Sequence, residues 1–574
     1  MDRKLLSRLL EETAFYLELT GANQFKARAY SSAARTILKA DLSEEELADT
    51  KKLKTLKGIG PSLAESIAEA VTTGRLKTLE ELKASLPAGI GDLARIPGLG
   101  AKKIRRLHQE LGIASLGELA YAINENRLTT LPGFGPKSQA NILKNLEFIK
   151  RQQDRFLLPE AWQVARDLEE FLTKSEAVLD LRPAGEMRRM MDTVARVEMV
   201  AASKAPGAVL THFSSWVKGT QLARPQPNQA GFRHPSGLWV QIEVVSPQLL
   251  GSALVWATGS DQHLDQLQNL AQEQGLEFKA EGLFKSSRPL ELADEETFYQ
   301  ALGLDFIPPE LRQGWGEIEA AAEGRLPRLV QAEDIKGLFH VHTKASDGAY
   351  SLLEMAQRAK NMGFTYLGLA DHSQSAFYAG GLKAEGLRAQ AREVDRVNKT
   401  LAPFKVFHGV ESDILTDGGL DYPDQVLDRL DFVIASVHGN FKLDQARQTE
   451  RIIKAVSHKA TTILGHPTGR LLLAREAYQL DLEAVVRACA ETGVALEINA
   501  NPQRLDIDWR TARQAQEEGV RFALGPDAHS LQGLSDTQWG LAVARKAWLT
   551  KKDLLNCLSA GELSDYLHQQ KAKN

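Results

Sequence analysis

The opening stretch, MDRKLLSRLLEETAFYLELTG, spaces its apolar residues three and four apart with acidic residues between them, the period of an amphipathic helix. A second helical run, NQFKARAYSSAARTI (23–37), follows; its Lys26, Arg28 and Arg35 suit a solvated face or a phosphate-binding one equally. Farther along, the period changes. In ARVEMV (195–200), Val197 and Met199 alternate with Arg196 and Glu198, which predicts a strand with one apolar face and two charges on the other. From residue 333 onward, short apolar strands alternate with amphipathic helices, and they end in GLFHVHT, YLGLADHS, VFHGVESD, FVIASVHGN, TTILGHPTG, VALEINANP and FALGPDAHS. Seven such strand–helix units predict a (βα)7 barrel, with the terminal His, Asp and Glu side chains gathered at its C-terminal mouth.

Between the first helices and the strands lies a threefold repeat. LKGIGPSLAESI (56–67), IPGLGAKKIRRL (96–107) and LPGFGPKSQANI (131–142) each contain Gly-apolar-Gly and a further apolar residue seven positions after the second glycine. The pairs Gly58/Gly60, Gly98/Gly100 and Gly133/Gly135 permit a tight turn between helices and close backbone approach. The helix that follows then offers free N–H groups and the positive end of its dipole to a phosphate. Lys102, Lys103, Arg105 and Arg106 in the second copy, and Lys137 in the third, add positive charge. One copy serves equally well as a plain helix cap. Three copies point to a grip on the DNA backbone that reads no sequence.

Length and composition narrow the picture. A chain of 574 residues is too long for one core, and 43% hydrophobic with 25% charged residues is the balance of a soluble globular protein. No apolar run approaches the roughly 20 residues that span a bilayer. Cys489 and Cys557 are the only cysteines, which leaves neither a disulfide framework nor a cysteine zinc site and fits a reducing cytoplasm. The net charge of −4 is uneven: residues 1–155 hold 25 Lys+Arg against 19 Asp+Glu, a surplus of 6 that leaves −10 for the rest. A polyanionic partner therefore belongs at the N-terminal end.

The histidines lie at the other end. His340 and His342, two apart on a strand, face the same way and can chelate one ion. Asp347 follows in a loop, and His372, Glu411, His438, His466, Asp527 and His529 arrive from five further strand ends. No ordinary core buries so many titratable groups without an ion to neutralise them. Mixed imidazole and carboxylate ligands of this number suit two or three divalent ions, manganese or zinc in preference to magnesium. Such a cluster fits phosphodiester hydrolysis.

FKARAY, the glycine hairpins and the turn AGEMRR together resemble the bacterial family X DNA polymerases that carry a C-terminal PHP (polymerase and histidinol phosphatase) domain. The resemblance runs over the whole chain. It implies a multidomain fold: an all-α helix-hairpin-helix N-terminal part, an α+β nucleotidyltransferase-like palm and thumb, and a C-terminal (βα)7 PHP barrel. The expected boundaries are 1–80 for a helical domain with the first hairpin, 81–155 for the hairpin DNA-binding domain, 156–250 for the palm, 251–317 for the thumb, 318–332 for a linker and 333–574 for the barrel.

The family's palm binds two magnesium ions through an Asp-x-Asp strand and a third aspartate. The matching positions here are Arg196, Glu198 and Gln241, and Glu186 stands where the family has serine before Arg188 and Arg189. Glu243 takes the place of a usual arginine, and Leu264 and Gln268 replace residues that meet the nucleotide. Asp192 is the one aspartate close enough to matter if the register were shifted. Arg196 puts a permanent cation where a divalent cation should sit. The lyase lysine of the family aligns with Ser66, with Ser62 nearby, and a hydroxyl forms no imine.

In the barrel the resemblance marks all nine ligand positions as intact, with Leu338 the one departure beside them. It gives Asp371 the task of orienting a neighbouring histidine, and Arg470 and Arg504 that of meeting a substrate phosphate; His408, His458 and His568 fall outside the pattern. The expected function is a DNA-repair nuclease: a 3′→5′ exonuclease, with abasic-site incision or 3′-phosphate removal as related reactions. Its expected partner is DNA with gapped, nicked or damaged ends. The protein is expected to be a monomer in the cytoplasm, with the nucleoid, and away from membranes. The alternatives are an active gap-filling polymerase with an attached exonuclease, a non-catalytic scaffold for DNA ends and a small-molecule phosphatase.

Overall fold

The computed structural model describes residues 1–21, 24–40, 42–87, 89–114, 116, 119, 128, 131, 134–152, 155–216, 223, 227–376, 379–473 and 476–573. The chain forms two compact units, Met1–Gln153 and Asp154–Asn574.

Among its described residues the first unit has helices as its regular elements. The helix Arg3–Thr20 starts at Asp2, whose carboxylate accepts from Leu5 N at 2.8 Å, and ends at Gly21 with φ +74°. Its buried stripe, including Leu6, Leu10 and Leu17, packs on Ala33, Ala34 and Ile37 of the helix Gln24–Lys39. The helices Pro61–Thr73, Ala101–Leu111 and Pro136–Gln152 each begin directly after the second glycine of one repeat, as the sequence predicts.

Among its described residues the second unit holds sixteen short strands. A two-stranded ribbon pairs β1 (Phe156–Leu157) with β3 (Thr193–Val194). The palm sheet runs in the order β2 (Asp180–Pro183), β4 (Arg196–Ala202), β6 (Trp239–Val245), β5 (Gln229–Arg233), with β4 and β6 parallel. A small antiparallel sheet of β7 (Glu277–Lys279), β8 (Gly282–Lys285) and β9 (Arg288–Pro289) belongs to the thumb. The last seven strands are parallel in sequence order: β10 (Gly337–Val341), β11 (Tyr366–Leu369), β12 (Lys405–Asp413), β13 (Phe432–Ser436), β14 (Ile463–Leu464), β15 (Ala495–Asn499) and β16 (Phe522–Gly525). A bridge from Val341 to Ala528 brings the last strand round to the first, giving the nearly closed (βα)7 barrel.

Palm, thumb and barrel pack as one body. The segment expected as a linker is part of that packing: Ile318, Leu329 and Val330 are buried, and Val330 N donates to Leu549 O at 3.0 Å. Trp315 lies against Trp509 with ring centroids 4.8 Å apart, and Arg545 Nε meets Glu310 at 2.7 Å. Among the described residues, no helix is long and apolar enough to cross a membrane.

Candidate functional site: the mouth of the barrel

Strand geometry gathers the site. His340 lies near the end of β10 and His342 directly follows it, where the pairing register to β11 shifts between Leu338 and Val341. The shift leaves His340 at φ +58°, and His466 (φ +25°) and Asp527 (φ +50°) are also left-handed. Non-glycine residues in that region cost about 1–3 kcal/mol each and cluster at functional sites.

Glu411, fully buried at the end of β12, is the hub. His372 Nδ1 lies 2.8 Å from it, His466 Nε2 3.0 Å, and His340 Nε2 and His438 Nε2 3.2 Å each. A second focus forms at Asp347, with His529 Nε2 at 3.2 Å and His372 Nε2 at 3.4 Å. Asp527 stands 3.3 Å from His342 Nε2. Four overlapping groups have ligand atoms close enough for one ion each: His342/Asp347/His372/His529, His340/His466/Asp527, His340/His342/Glu411 and His372/Glu411/His438. Together they contain the nine residues singled out from the sequence and no others among those described.

The electrostatics are those of a site built for cations. Burial alone would raise the Glu411 carboxyl, but His438, His340 and His372 hold it well below its usual range. His342, buried beside the charges of His529 and His372, is pushed down to about 3. Both ring nitrogens of His342, together with His340 Nε2 and Glu411 Oε2, are buried and, despite these close approaches, make no well-aligned hydrogen bond among the described residues. Buried polar atoms of this kind require a partner, and inward-facing imidazole nitrogens beside carboxylates suit a divalent cation.

Two carboxylates that the sequence reading did not select orient the rings. Glu497 accepts from His340 Nδ1 at 2.5 Å and from His466 N at 2.6 Å; Asp413 accepts from His438 Nδ1 at 2.6 Å. Each fixes the tautomer that turns Nε2 inward. The signal was present in the sequence: Asp413 is two residues from Glu411 on β12 and so shares its face.

Two expected roles change. Among the described residues Asp371 accepts from Thr343 N at 2.7 Å, Thr343 Oγ1 at 2.7 Å, Ser346 Oγ at 2.6 Å and Gln390 Nε2 at 2.6 Å, not from a histidine ring, and so holds the loop before Asp347. The Arg470 guanidinium is taken up by protein partners: Nη2 pairs with Asp192 at 2.8 Å and Nε donates to Arg504 O at 2.9 Å. A guanidinium so engaged has no fork left for phosphate. Arg504 does reach the site, with Nε 3.6 Å from Asp527.

In the palm, β4 pairs with β6 so that Glu198 lies opposite Gln241, and Arg196 stands beside them on the same face. Gln241 Nε2 donates to Glu198 at 2.9 Å, Trp239 Nε1 donates to Gln241 at 3.2 Å, and Arg196 Nε is 3.9 Å from Glu198. Glu186 is held by Arg155 at 3.0 Å and by Ala195 N at 2.9 Å. A cleft of about 670 Å³ remains there, lined by these residues. Asp192 is withdrawn from it by Arg470. Arg188 grips Glu295 through both guanidinium ends, at 2.8 and 2.5 Å, and Arg189 Nη1 donates to Thr258 O at 2.7 Å.

In the first unit, Gly58 (φ +89°) and Gly98 (φ +83°) make the turns, and Gly60 and Gly100 cap the helices after them. No atom of the described residues lies within 4 Å of a Cβ built at Gly60, Gly98, Gly100 or Gly135, so these backbones are open to approach. Lys102 and Lys103 are exposed, whereas Arg105 reaches Glu18 O at 3.5 Å and Arg106 pairs with Glu110 at 2.6 Å. Ser66 Oγ donates to Ser62 O at 3.1 Å. Gly133 and the Lys137 side chain lie outside the described residues.

A hairpin-bearing helical unit, a palm and thumb, and a parallel barrel with a His/Asp/Glu mouth define a family X polymerase body joined to a phosphoesterase-type barrel. Comparison with known proteins agrees. The chain matches the helix-hairpin-helix domain over residues 1–76, the SAM-like helix-hairpin-helix tandem over 50–112 and 90–147, the DNA polymerase beta thumb over 253–313 and the PHP domain over 339–501. It is 34% identical over 573 residues to the DNA polymerase/3′-5′ exonuclease PolX of Bacillus subtilis (strain 168), covering 99% of each chain. Its C-terminal part is 30% identical over 246 residues to a probable phosphatase of Thermoanaerobacter sp. (strain X514), covering 41% of this chain and 95% of that one. It is also 31% identical over 228 residues to a probable phosphatase of Shewanella sp. (strain ANA-3), covering 38% and 85%. The chain belongs to the bacterial family X DNA polymerases with a C-terminal PHP domain.

Proposed function

We propose that the barrel is a divalent-metal-dependent DNA phosphodiesterase that trims ends 3′→5′ in repair, and that the palm and thumb serve to hold DNA. The convergence of nine ligand-type side chains with unsatisfied inward nitrogens carries this reading. His340, His342, Asp347, His372, Glu411, His438, His466, Asp527 and His529 would hold two or three ions, manganese or zinc foremost. When bound, these ions activate water and neutralise phosphate charge. Glu497 and Asp413 hold His340 and His438 in the tautomer that ligation needs, and Asp371 sets the loop that carries Asp347. Arg504 supplies a fixed cation beside Asp527 for the phosphate under attack. Incision at abasic sites and removal of a 3′-phosphate use the same chemistry. The hairpins supply a backbone grip on gapped, nicked or damaged DNA, with Gly58, Gly60, Gly98, Gly100, Gly133, Gly135, Lys102, Lys103 and Lys137 at the contact. The protein would act as a monomer in the cytoplasm, on the nucleoid.

The second reading, an active gap-filling polymerase with an attached exonuclease, is favoured by full-length similarity to a relative named for both activities. Against it stand Arg196, Glu198 and Gln241, which satisfy one another without a metal. A labelled primer–template with manganese, with and without dNTPs, separates the two. The expected result is shortening that disappears in His340→Ala; templated extension would overturn the inactive palm, and neither product would favour a scaffold.

A further inference from the structure

A pocket of about 340 Å³ opens between the helix Ala384–Leu401 and residues 425–430, and none of the nine cluster residues lines it. Its volume falls at the small end of the roughly 300–1,000 Å³ common for small-molecule sites. Arg388 and Arg392, four apart on one helix face, line it together with Arg429 from the opposite side. None of the three makes an ion pair among the described residues. Leu387, Val426 and Leu430 complete the wall with apolar surface. Three guanidiniums suit a phosphate dianion through forked hydrogen bonds, and the apolar wall suits a nucleobase or sugar.

The back of the pocket is His408, only 7% exposed, a histidine outside the barrel's ligand pattern. Its Nε2 lies 3.0 Å from Gln390 Oε1, while Gln390 Nε2 donates to Asp371 Oδ2 at 2.6 Å. Because the amide nitrogen faces Asp371, the amide oxygen must accept from His408, so Nε2 carries the ring proton and Nδ1 is an acceptor. Asp371 in turn accepts from Thr343 and Ser346 in the loop that leads to Asp347. Three buried side chains thus connect the pocket to the mouth of the barrel.

We propose that this pocket binds a nucleoside phosphate monoester, and that its occupancy reaches the Asp347 loop through His408, Gln390 and Asp371. The binding half stands by itself; the transmitted half rests on the reading of the barrel mouth as a metal site. The monoester can come from a free nucleotide, the product class of end trimming, or from the terminal phosphate of a DNA strand.

The full-length protein in EDTA is titrated with dAMP, with inorganic phosphate, and with an oligonucleotide bearing either a 5′-phosphate or a 5′-hydroxyl. Saturable dAMP binding that weakens at least about tenfold in Arg388→Ala/Arg429→Ala, and is partly restored in Arg388→Lys/Arg429→Lys, supports the free nucleotide. A preference for the 5′-phosphate that vanishes in the same variant supports the strand end. Equal binding of both oligonucleotides with no variant-sensitive dAMP binding overturns the proposal in favour of a plain DNA surface, and tight binding of inorganic phosphate alone overturns the nucleoside requirement. Transmission is read as manganese affinity: dAMP should shift the manganese Kd about fivefold in the wild type and not in Gln390→Leu, which keeps dAMP affinity. A shift of equal size in Gln390→Leu overturns the relay. Absence of any manganese binding defeats the metal-site reading and leaves the pocket standing.

Discussion

The palm cleft and the barrel mouth both gather charged side chains at the ends of parallel strands, yet they treat those charges in opposite ways. In the palm, Glu198 accepts from Gln241, Arg196 stands 3.9 Å from it, and Glu186 is held by Arg155 and Ala195 N. In the barrel, carboxylates fix the outer nitrogens of His340 and His438, while both nitrogens of His342 and the inner one of His340 make no well-aligned hydrogen bond among the described residues. A polar site that completes its own bonds does not require an ion. A buried site that leaves them incomplete does, because each unpaired buried group costs about 1–3 kcal/mol. Residue type alone does not mark a metal site; the state of the inward-facing atoms does.

The harshest test of that contrast removes one inward nitrogen. His340→Ala should lower metal-dependent DNA hydrolysis by about a thousandfold, the several kcal/mol that a bound ion contributes to transition-state stabilisation. Gel assays of end trimming check it, and an unchanged rate would mean the chemistry lies elsewhere. Arg196→Asp with Glu198→Asp and Gln241→Asp should conversely give the palm cleft a manganese-binding capacity that the wild-type cleft lacks, measured by calorimetry in a His340→Ala background. Continued silence there would mean that Arg155 and Arg189, which also line the cleft, exclude cations by themselves.

Next in size is the outer support. Glu497→Gln keeps the shape but removes the charge that orients His340, and should reduce metal affinity or activity about 10–100-fold. Retention of full affinity would show that packing, without Glu497, sets the ring.

The barrel and all nine of its clustered residues were legible because a strand ends where its apolar run ends, and whatever follows points into the mouth. The three glycine repeats were legible for a similar local reason, since helix starts fall directly after Gly60, Gly100 and Gly135. Pairings distant in sequence were not. Arg470 and Asp192 are 278 residues apart, and no periodicity links them. The sequence therefore left Arg470 as a phosphate contact and Asp192 as a spare palm aspartate, whereas each occupies the other. Asp371 was misread similarly: its partners Thr343, Ser346 and Gln390 come from two other segments.

That pair is also where the two regions are joined. Arg470 holds the carbonyl of Arg504, whose side chain reaches Asp527 in the mouth. A double-mutant cycle over Asp192→Asn and Arg470→Met should return a coupling of about 0.5–3 kcal/mol in denaturant unfolding. The asymmetry of such a pair makes Asp192→Asn alone worse than the double change, since it leaves the guanidinium with Asp508 at 3.7 Å as its remaining carboxylate. Additive effects would mean that this pair contributes nothing to joining the palm and the barrel.

The smallest effect concerns Lys546, buried at the same junction, whose Nζ donates to Arg189 O at 2.9 Å. Burial, aided by the nearby Arg189 charge, pushes its amine down to about 7. In the unfolded chain a lysine titrates near about 10.4. Between those two values the unfolded state binds a proton that the folded state lacks, so this group makes stability rise with pH across that window. Below pH 7 both states are protonated and the folded protein carries the full cost of a buried ammonium. Lys546→Met should therefore stabilise the protein most near pH 6–7, by a margin that shrinks toward pH 10. The gain is reduced at every pH because Arg189 O loses its donor. Urea unfolding of both proteins at pH 6.5 and 9.5 measures the difference. A pH-independent offset would show that the amine stays charged in the fold, held by Asp192 and Glu310 against its burial.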